Sequence, residues 1–285
     1  MGFGMAIGKS GDAVPEPSVR HLEKLFIDFD GQQIEVETDA PEVRELLAEE
    51  FSMMLTPEAS AVVGNITVGR TDDGIRVRGE QEFDLGRLDA TAAYECVKHE
   101  VLKHFVRLRK DLLWLHAGAV ERNGSALVFP GESGRGKSTL VTLLARNGWG
   151  FLSDEIVPLR MDAEEVFAYP LRAQRRIGVG RELSLDDVYS LDKERVEIAP
   201  GTVHREWAHV AATIFPRFES GARARLTRLP AGDAALALLR NALNFLDHKA
   251  AAVSRGAASA RRIPAYELVY DRSGEAGELL QSVLQ

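Results

Sequence analysis

The chain has 285 residues, 45% of them hydrophobic and 27% charged, which suffices for one large domain or two modest ones with a sizeable core. A formal net charge of −8 argues against a nucleic-acid partner, which needs a basic face. No apolar run approaches the roughly 18 residues of a membrane span, so no membrane partner is expected. The single cysteine, Cys96, excludes an internal disulfide, points to a reducing compartment and makes the cytoplasm the expected location.

Residues 1–21 are rich in Gly, Pro and Ser and read as a loose N-terminal segment, without the basic leader and apolar stretch of a signal peptide. Residues 22–109 read as a small α+β module with a linking helix. Its first hairpin is Leu25–Phe29 and Gln33–Glu37 around Asp30-Gly31, a type I′ signal. A helix follows over Pro41–Met54, with apolar residues at 43, 46, 47, 51 and 54. Gly64–Val68 and Ile75–Val77 around Asp73-Gly74 make a second hairpin. The periodicity of Val97, Val101, Leu102, Phe105 and Leu108 predicts a helix over Asp89–Arg109, with Cys96 as a small core residue and His99 and His104 at the surface. The module carries no catalytic constellation, so partner recognition and structural support both remain open for it.

Leu112–Val120 reads as a strand bent at Gly118. Asn123-Gly124 is the strongest two-residue hairpin signal and leads into a second apolar strand, Ser125–Phe129. With that dipeptide as the turn, residues 122 and 125 pair and His116 lies opposite Gly131. Then comes Gly131-Glu132-Ser133-Gly134-Arg135-Gly136-Lys137-Ser138, which satisfies G-x-x-x-x-G-K-[ST] without substitution. The glycines let the backbone turn tightly with its N–H groups inward. Lys137 can reach the β- and γ-phosphates of ATP or another nucleoside triphosphate, and the Ser138 hydroxyl can ligate Mg²⁺. Apolar residues at 140, 141, 143 and 144 predict a helix from Ser138 to Asn147, whose N-terminus adds a positive dipole end beside Thr139. At ordinary glycine usage the four fixed positions recur by chance in roughly one such chain in a hundred. The flanking strand and helix make coincidence rarer.

Gly148–Glu155 reads as a short strand ending in two acids. Only 17 positions separate Lys137 from Asp154, one helix and one return strand, and a right-handed crossover makes that strand parallel to the loop's own. Asp154 and Glu155 then fall at the carboxyl edge where open α/β sheets bind ligands. There a carboxylate holds Mg²⁺ or takes a proton from an attacking hydroxyl. Further on, residues 201–285 carry 11 Lys/Arg against 8 Asp/Glu. Arginines 217, 223, 225, 228, 255, 261 and 262 there read as a solvated face, with an acidic partner as the alternative.

His116-Ala-Gly-Ala-Val120, the loop Gly131–Ser138 and Ser153-Asp154-Glu155, in this order and spacing, resemble the catalytic domain of bacterial HPr kinase/phosphorylase. The likeness is to HPr-kinase-related proteins found beside genes for modified peptides. It is specific over roughly residues 110–160. It is looser over 165–285, where Phe215-Pro-Arg-Phe and Pro264-Ala-Tyr-Glu-Leu268 are similar to the related proteins, and it does not reach the N-terminal module. The resemblance implies an α/β fold with a P-loop core like that of the HPr kinase C-terminal domain and phosphoenolpyruvate carboxykinase, spanning residues 110–285. It implies an ATP- and Mg²⁺-dependent kinase acting on a Ser/Thr-type hydroxyl of a peptide, protein or small molecule, and a homo-oligomer. Asp154 inherits the role of base, Glu155 that of metal ligand or orienting acid, and His116 that of the histidine beside the transferring phosphate. Arg172, Arg175 and Arg176 are candidates for the γ-phosphate or base pocket. Three departures stand out: Thr139 replaces a metal-site glutamate, Glu155 stands where the family has a second aspartate, and Tyr169–Gly180 is a poor copy of the family's Gly-rich signature. Thr139 in place of the acid favours an alternative, a nucleotide-binding peptide-recognition module without efficient phosphotransfer.

Overall fold

The computed structural model describes residues 22–79, 83–176 and 193–284. The expected loose segment 1–21 and the 177–180 end of the Gly-rich stretch lie outside them. The chain is mixed α/β with two mixed sheets.

The first sheet comes from β1 (Glu23–Phe29), β2 (Gln32–Thr38), β3 (Leu55–Thr56), β4 (Val62–Thr71), β5 (Gly74–Gly79) and β6 (Phe83–Leu88), in the order β3-β1-β2-β4-β5-β6. Asp30 (φ 50°) and Gly31 (φ 77°) make the expected type I′ turn, and the ladder runs from Phe29↔Gln32 to Glu23↔Thr38. Between β2 and β4 the chain crosses over through α1 (Pro41–Glu50), so those strands pair in parallel. This helix stops four residues before the expected Met54. The second hairpin turns at Asp72-Asp73, one residue earlier than the Asp73-Gly74 signal, because Thr71 pairs with Gly74.

α2 (Ala90–Leu108) is capped by Asp89, whose side chain accepts from Ala92 N at 2.8 Å, and buries Val97, Val101 and Phe105. Its Leu108 is exposed, while His104 is half-buried over Gly64 rather than at the free surface. Cys96 is half-buried at the edge of the same core.

The second sheet is built on β7 (Leu112–Arg122), whose Leu112–Leu115 run is buried on both faces, as a near-continuous apolar run requires. The strands β8 (Ser125–Pro130), β9 (Gly150–Ser153), β10 (Ile156–Arg160), β11 (Glu165–Val166), β14 (Ala208–Phe218), β15 (Arg225–Arg228) and β16 (Ala265–Tyr270) complete it in the order β11-β10-β7-β8-β14-β16-β15, with β9 also on β7. A separate ribbon pairs β12 (Gln174–Arg176) with β13 (Lys193–Arg195). The helices are α3 (Lys137–Arg146), α4 (Ala231–Arg240), α5 (Phe245–His248), α6 (Ala250–Arg262) and α7 (Ser273–Ser282).

One apolar core joins the two sheets. Phe29 and Phe105 of the N-terminal layer stack against Trp114 and Tyr169, with Phe29 and Trp114 centroids 5.1 Å apart. Each such fully buried side chain contributes about 1.5–3 kcal/mol relative to exposure. Arg255, grouped with the solvated arginines on sequence grounds, is instead buried on α6. Its guanidinium meets both oxygens of Glu164 at 2.7 and 2.8 Å and donates to the Arg160 and Ala163 carbonyls. Among the described residues no helix is long and apolar enough to cross a membrane.

Candidate functional site

The site begins with a register. Asn123 (φ 53°) and Gly124 (φ 78°) form the turn, and the β7–β8 ladder runs from Arg122↔Ser125 to Ala117↔Pro130. One step further along that line are His116 and Gly131. At Pro130 β8 leaves the sheet for the loop, and the edge of β7 it vacates is filled by residues 241–244. Asn241 O accepts from His116 N at 2.7 Å, Trp114 O accepts from Leu243 N at 2.7 Å, and Asn244 Oδ1 accepts from Trp114 N at 3.0 Å. The two chains diverge around His116 and leave a fork there.

Within the loop, Gly134 (φ 89°) and Gly136 (φ 94°) adopt left-handed backbone that side-chain-bearing residues rarely take. A Cβ at Gly136 would also lie 1.9 Å from the Tyr270 hydroxyl, which donates to Gly136 O at 3.1 Å. Gly136 brings no capping side chain to α3, so the N–H groups of the first turn, where Ser138 and Thr139 sit half-buried, suit an anion. Lys137 is buried. Its Nζ donates to Gly131 O at 2.6 Å, to Glu132 O at 3.0 Å and to His116 Nε2 at 3.2 Å. An ammonium has no lone pair to offer, so Nε2 is the acceptor and the imidazole is neutral. Burial, then the Lys137 charge, lowers the His116 pKa below the ordinary histidine range, with Glu155 opposing. Ser133 and the side chains of Glu132 and Arg135 lie outward, the last two 3.8 Å apart.

The acids arrive from the other side of β7. Ser153 is opposite Ala119 and Ile156 opposite His116, which sets Asp154 and Glu155 level with Gly118 and Ala117. Glu155 O accepts from Ala117 N at 3.1 Å, while Ser153 Oγ accepts from the main-chain N–H groups of Glu155 and Ile156 at 3.3 and 3.1 Å. Asp154 and the first loop glycine therefore flank the same three residues of β7, two strand spacings or roughly 10 Å apart across the backbone. Gly118 makes this possible. A Cβ there would meet Val141 Cγ2 of α3 at 2.7 Å, so glycine lets the loop's helix settle onto β7.

The strand direction agrees with the sequence reading, which left the strand order open. β9 runs in the same direction as β8, but β7 lies between them, because the edge of β7 away from its hairpin partner is open to β9 and β10. The acids also separate. Asp154 is buried, whereas the Glu155 carboxylate is half exposed and lies 3.7 Å from Lys98 Nζ of α2, which holds buried Glu50 at 2.8 Å. Arg172 does not join the loop and pairs with Glu49 of α1, and of Arg175 and Arg176 only the backbone, in β12, is described.

Tyr270 was missed on sequence grounds. The signal was the carboxyl-edge rule: β8, β14 and β16 are mutually parallel, so Tyr270, last in β16, arrives beside the loop. The Ser138 hydroxyl and the two carboxylates are hard oxygen donors of the type Mg²⁺ takes alongside phosphate oxygens and water. Among the described residues no three His, Cys, Asp or Glu side chains cluster as a metal cage, which a nucleotide-bound Mg²⁺ does not need. No family model and no curated protein matches the chain.

Proposed function

We propose that the protein is a kinase of the HPr-kinase-related type, with a P-loop core, that transfers the γ-phosphate of ATP to a Ser/Thr-type hydroxyl on a peptide, protein or small molecule. The observation that carries this reading is the convergence on one sheet edge of the loop lysine, the neutral imidazole 3.2 Å from it, and the buried acid flanking the other side of the same strand.

The residues divide the work. The N–H groups of Gly131–Thr139 and the Lys137 ammonium take the β- and γ-phosphate oxygens, Lys137 exchanging the carbonyls of Gly131 and Glu132 for them. His116 stays neutral, accepts a hydrogen bond from the Lys137 ammonium at Nε2 and keeps that ammonium aimed along the loop. Asp154 accepts the acceptor's hydroxyl proton as its oxygen bonds to the γ-phosphorus and the bond to the β–γ bridging oxygen breaks, releasing ADP. Mg²⁺, when bound, would spread the charge building on the phosphates, and Ser138, Asp154 and Glu155 would hold it. Such catalysis is chiefly positioning and electrostatics, so few residues suffice.

The test is γ-labelled ATP with hydroxyl-bearing peptides. Asp154→Asn should cut transfer by roughly 10²- to 10⁴-fold while ATP still binds; transfer at the parental rate by that variant would remove Asp154 from its role. A second reading, a nucleotide-binding peptide-recognition module, draws support from Thr139 at a position where the resembled kinases carry an acid, and from the engagement of Glu155 by Lys98. Tight ATP binding with no label on any acceptor would favour it.

A further inference from the structure

The N-terminal layer presents one cation at the edge of this site. Lys98, on α2, is anchored by Glu50 at 2.8 Å and lies 3.7 Å from Glu155, the neighbour of the proposed base. The three groups are unequal. Glu50 is 4% exposed in its side chain and Lys98 18%, so both are hemmed in by packing; the Glu155 carboxylate is 52% exposed. Burial works to lower the Lys98 pKa, but the carboxylates of Glu155 and Glu50 outweigh it and hold the group charged. Glu50 alone already balances the Lys98 charge. Glu155 is thus a second anion at the longer distance, 3.7 Å against 2.8 Å, between the Lys98 ammonium and the edge where a nucleotide-bound cation would sit.

We propose that Lys98 is a positioning residue that competes with Mg²⁺ for Glu155, drawing this carboxylate toward the N-terminal layer when the loop is empty and setting the Mg²⁺ concentration at which nucleotide binds. The inference rests on the kinase reading of the loop and gives residues 22–109 a part in it: they hold the second acid in reserve. A partly exposed pair at this separation is worth up to about fivefold in an equilibrium constant.

The experiment titrates Mg²⁺ against binding of a fluorescent ATP analogue, with no turnover required. Lys98→Met alone would leave Glu50 buried without its cation, so the working variant is Lys98→Met with Glu50→Gln. It should lower the half-saturating Mg²⁺ concentration roughly two- to fivefold, while Lys98→Arg stays near the parent. Adding Glu155→Gln should erase the difference. An unmoved Mg²⁺ midpoint in the double variant, or a shift that persists with Glu155→Gln, would overturn the proposal. Lys137→Ala separates the two levels. If it abolishes analogue binding and the midpoint still does not move, only the Lys98 assignment fails; if it binds as the parent does, the nucleotide reading fails and this inference with it.

Discussion

Gly118→Ala tests the close approach of α3 to β7. The new methyl would meet Val141 Cγ2 at 2.7 Å, inside van der Waals contact and against a side chain that is itself fully buried. Overpacking of a tight core costs about 1–3 kcal/mol. The backbone at Gly118 is ordinary extended strand, so alanine gains back about 0.4–1 kcal/mol by restricting the unfolded chain. The net loss is about 0–2.6 kcal/mol, or up to roughly 10 °C in Tm for a chain of this size. α3 opens with Lys137, so the same shift should weaken binding of a fluorescent ATP analogue. Val141→Ala removes the offending methyl at its own cost of about 1–3 kcal/mol. Urea unfolding of the four proteins closes a cycle in which the double variant should be more stable than the two single losses predict, by roughly 1–2 kcal/mol. Additivity within about 0.5 kcal/mol would show that Gly118 and Val141 do not press on each other, and the account of the loop's seating would fall.

Arg255→Met should destabilise by about 3–5 kcal/mol, because it leaves the buried Glu164 carboxylate without its bidentate partner, and Arg255→Met with Glu164→Met should recover most of that in thermal unfolding. A single variant as stable as the parent would contradict the burial of this pair. His116 predicts a pH effect whose sign follows from its lowered pKa: below about pH 6.5 the unfolded chain binds a proton that the folded one resists, so stability is full above that pH and falls as the solution is acidified through it. In melts between about pH 5 and 7.5, His116→Gln should lose less stability on acidification than the parent; parallel profiles would count against the neutral imidazole beside Lys137.

Much of the site was legible because its determinants are local. Asn123-Gly124 fixes a two-residue turn, a turn fixes register, and register alone puts His116 beside the loop that carries Lys137. The helix after the loop and the acids at the end of the next strand follow from periodicity and spacing in the same way. Strand order is not local: the crossover sets the direction of β9, but only the competition of β8 and β9 for the two edges of β7 decides that they do not touch. Arg255 reads as one more surface arginine because its partner Glu164 is 91 positions away, and Lys98 gives no signal because Glu155 lies far along the chain, in the bend between β9 and β10. Ser153 entered the sequence reading only as part of the Ser153-Asp154-Glu155 motif, since its hydroxyl matters only once Glu155 and Ile156 fold back over it.

The fork at His116 has a consequence for how the protein is made. Its second arm, Asn241–Asn244, is joined to Trp114 across 130 positions of chain, so the glycine-lysine loop is translated long before the strand edge beside it is covered. A nascent or clipped chain ending ahead of Asn241 would display the full glycine-lysine signature with the main chain of Trp114 and His116 open to a stray strand. Only the arrival of residues 241–244 covers the edge of β7 beside the signature.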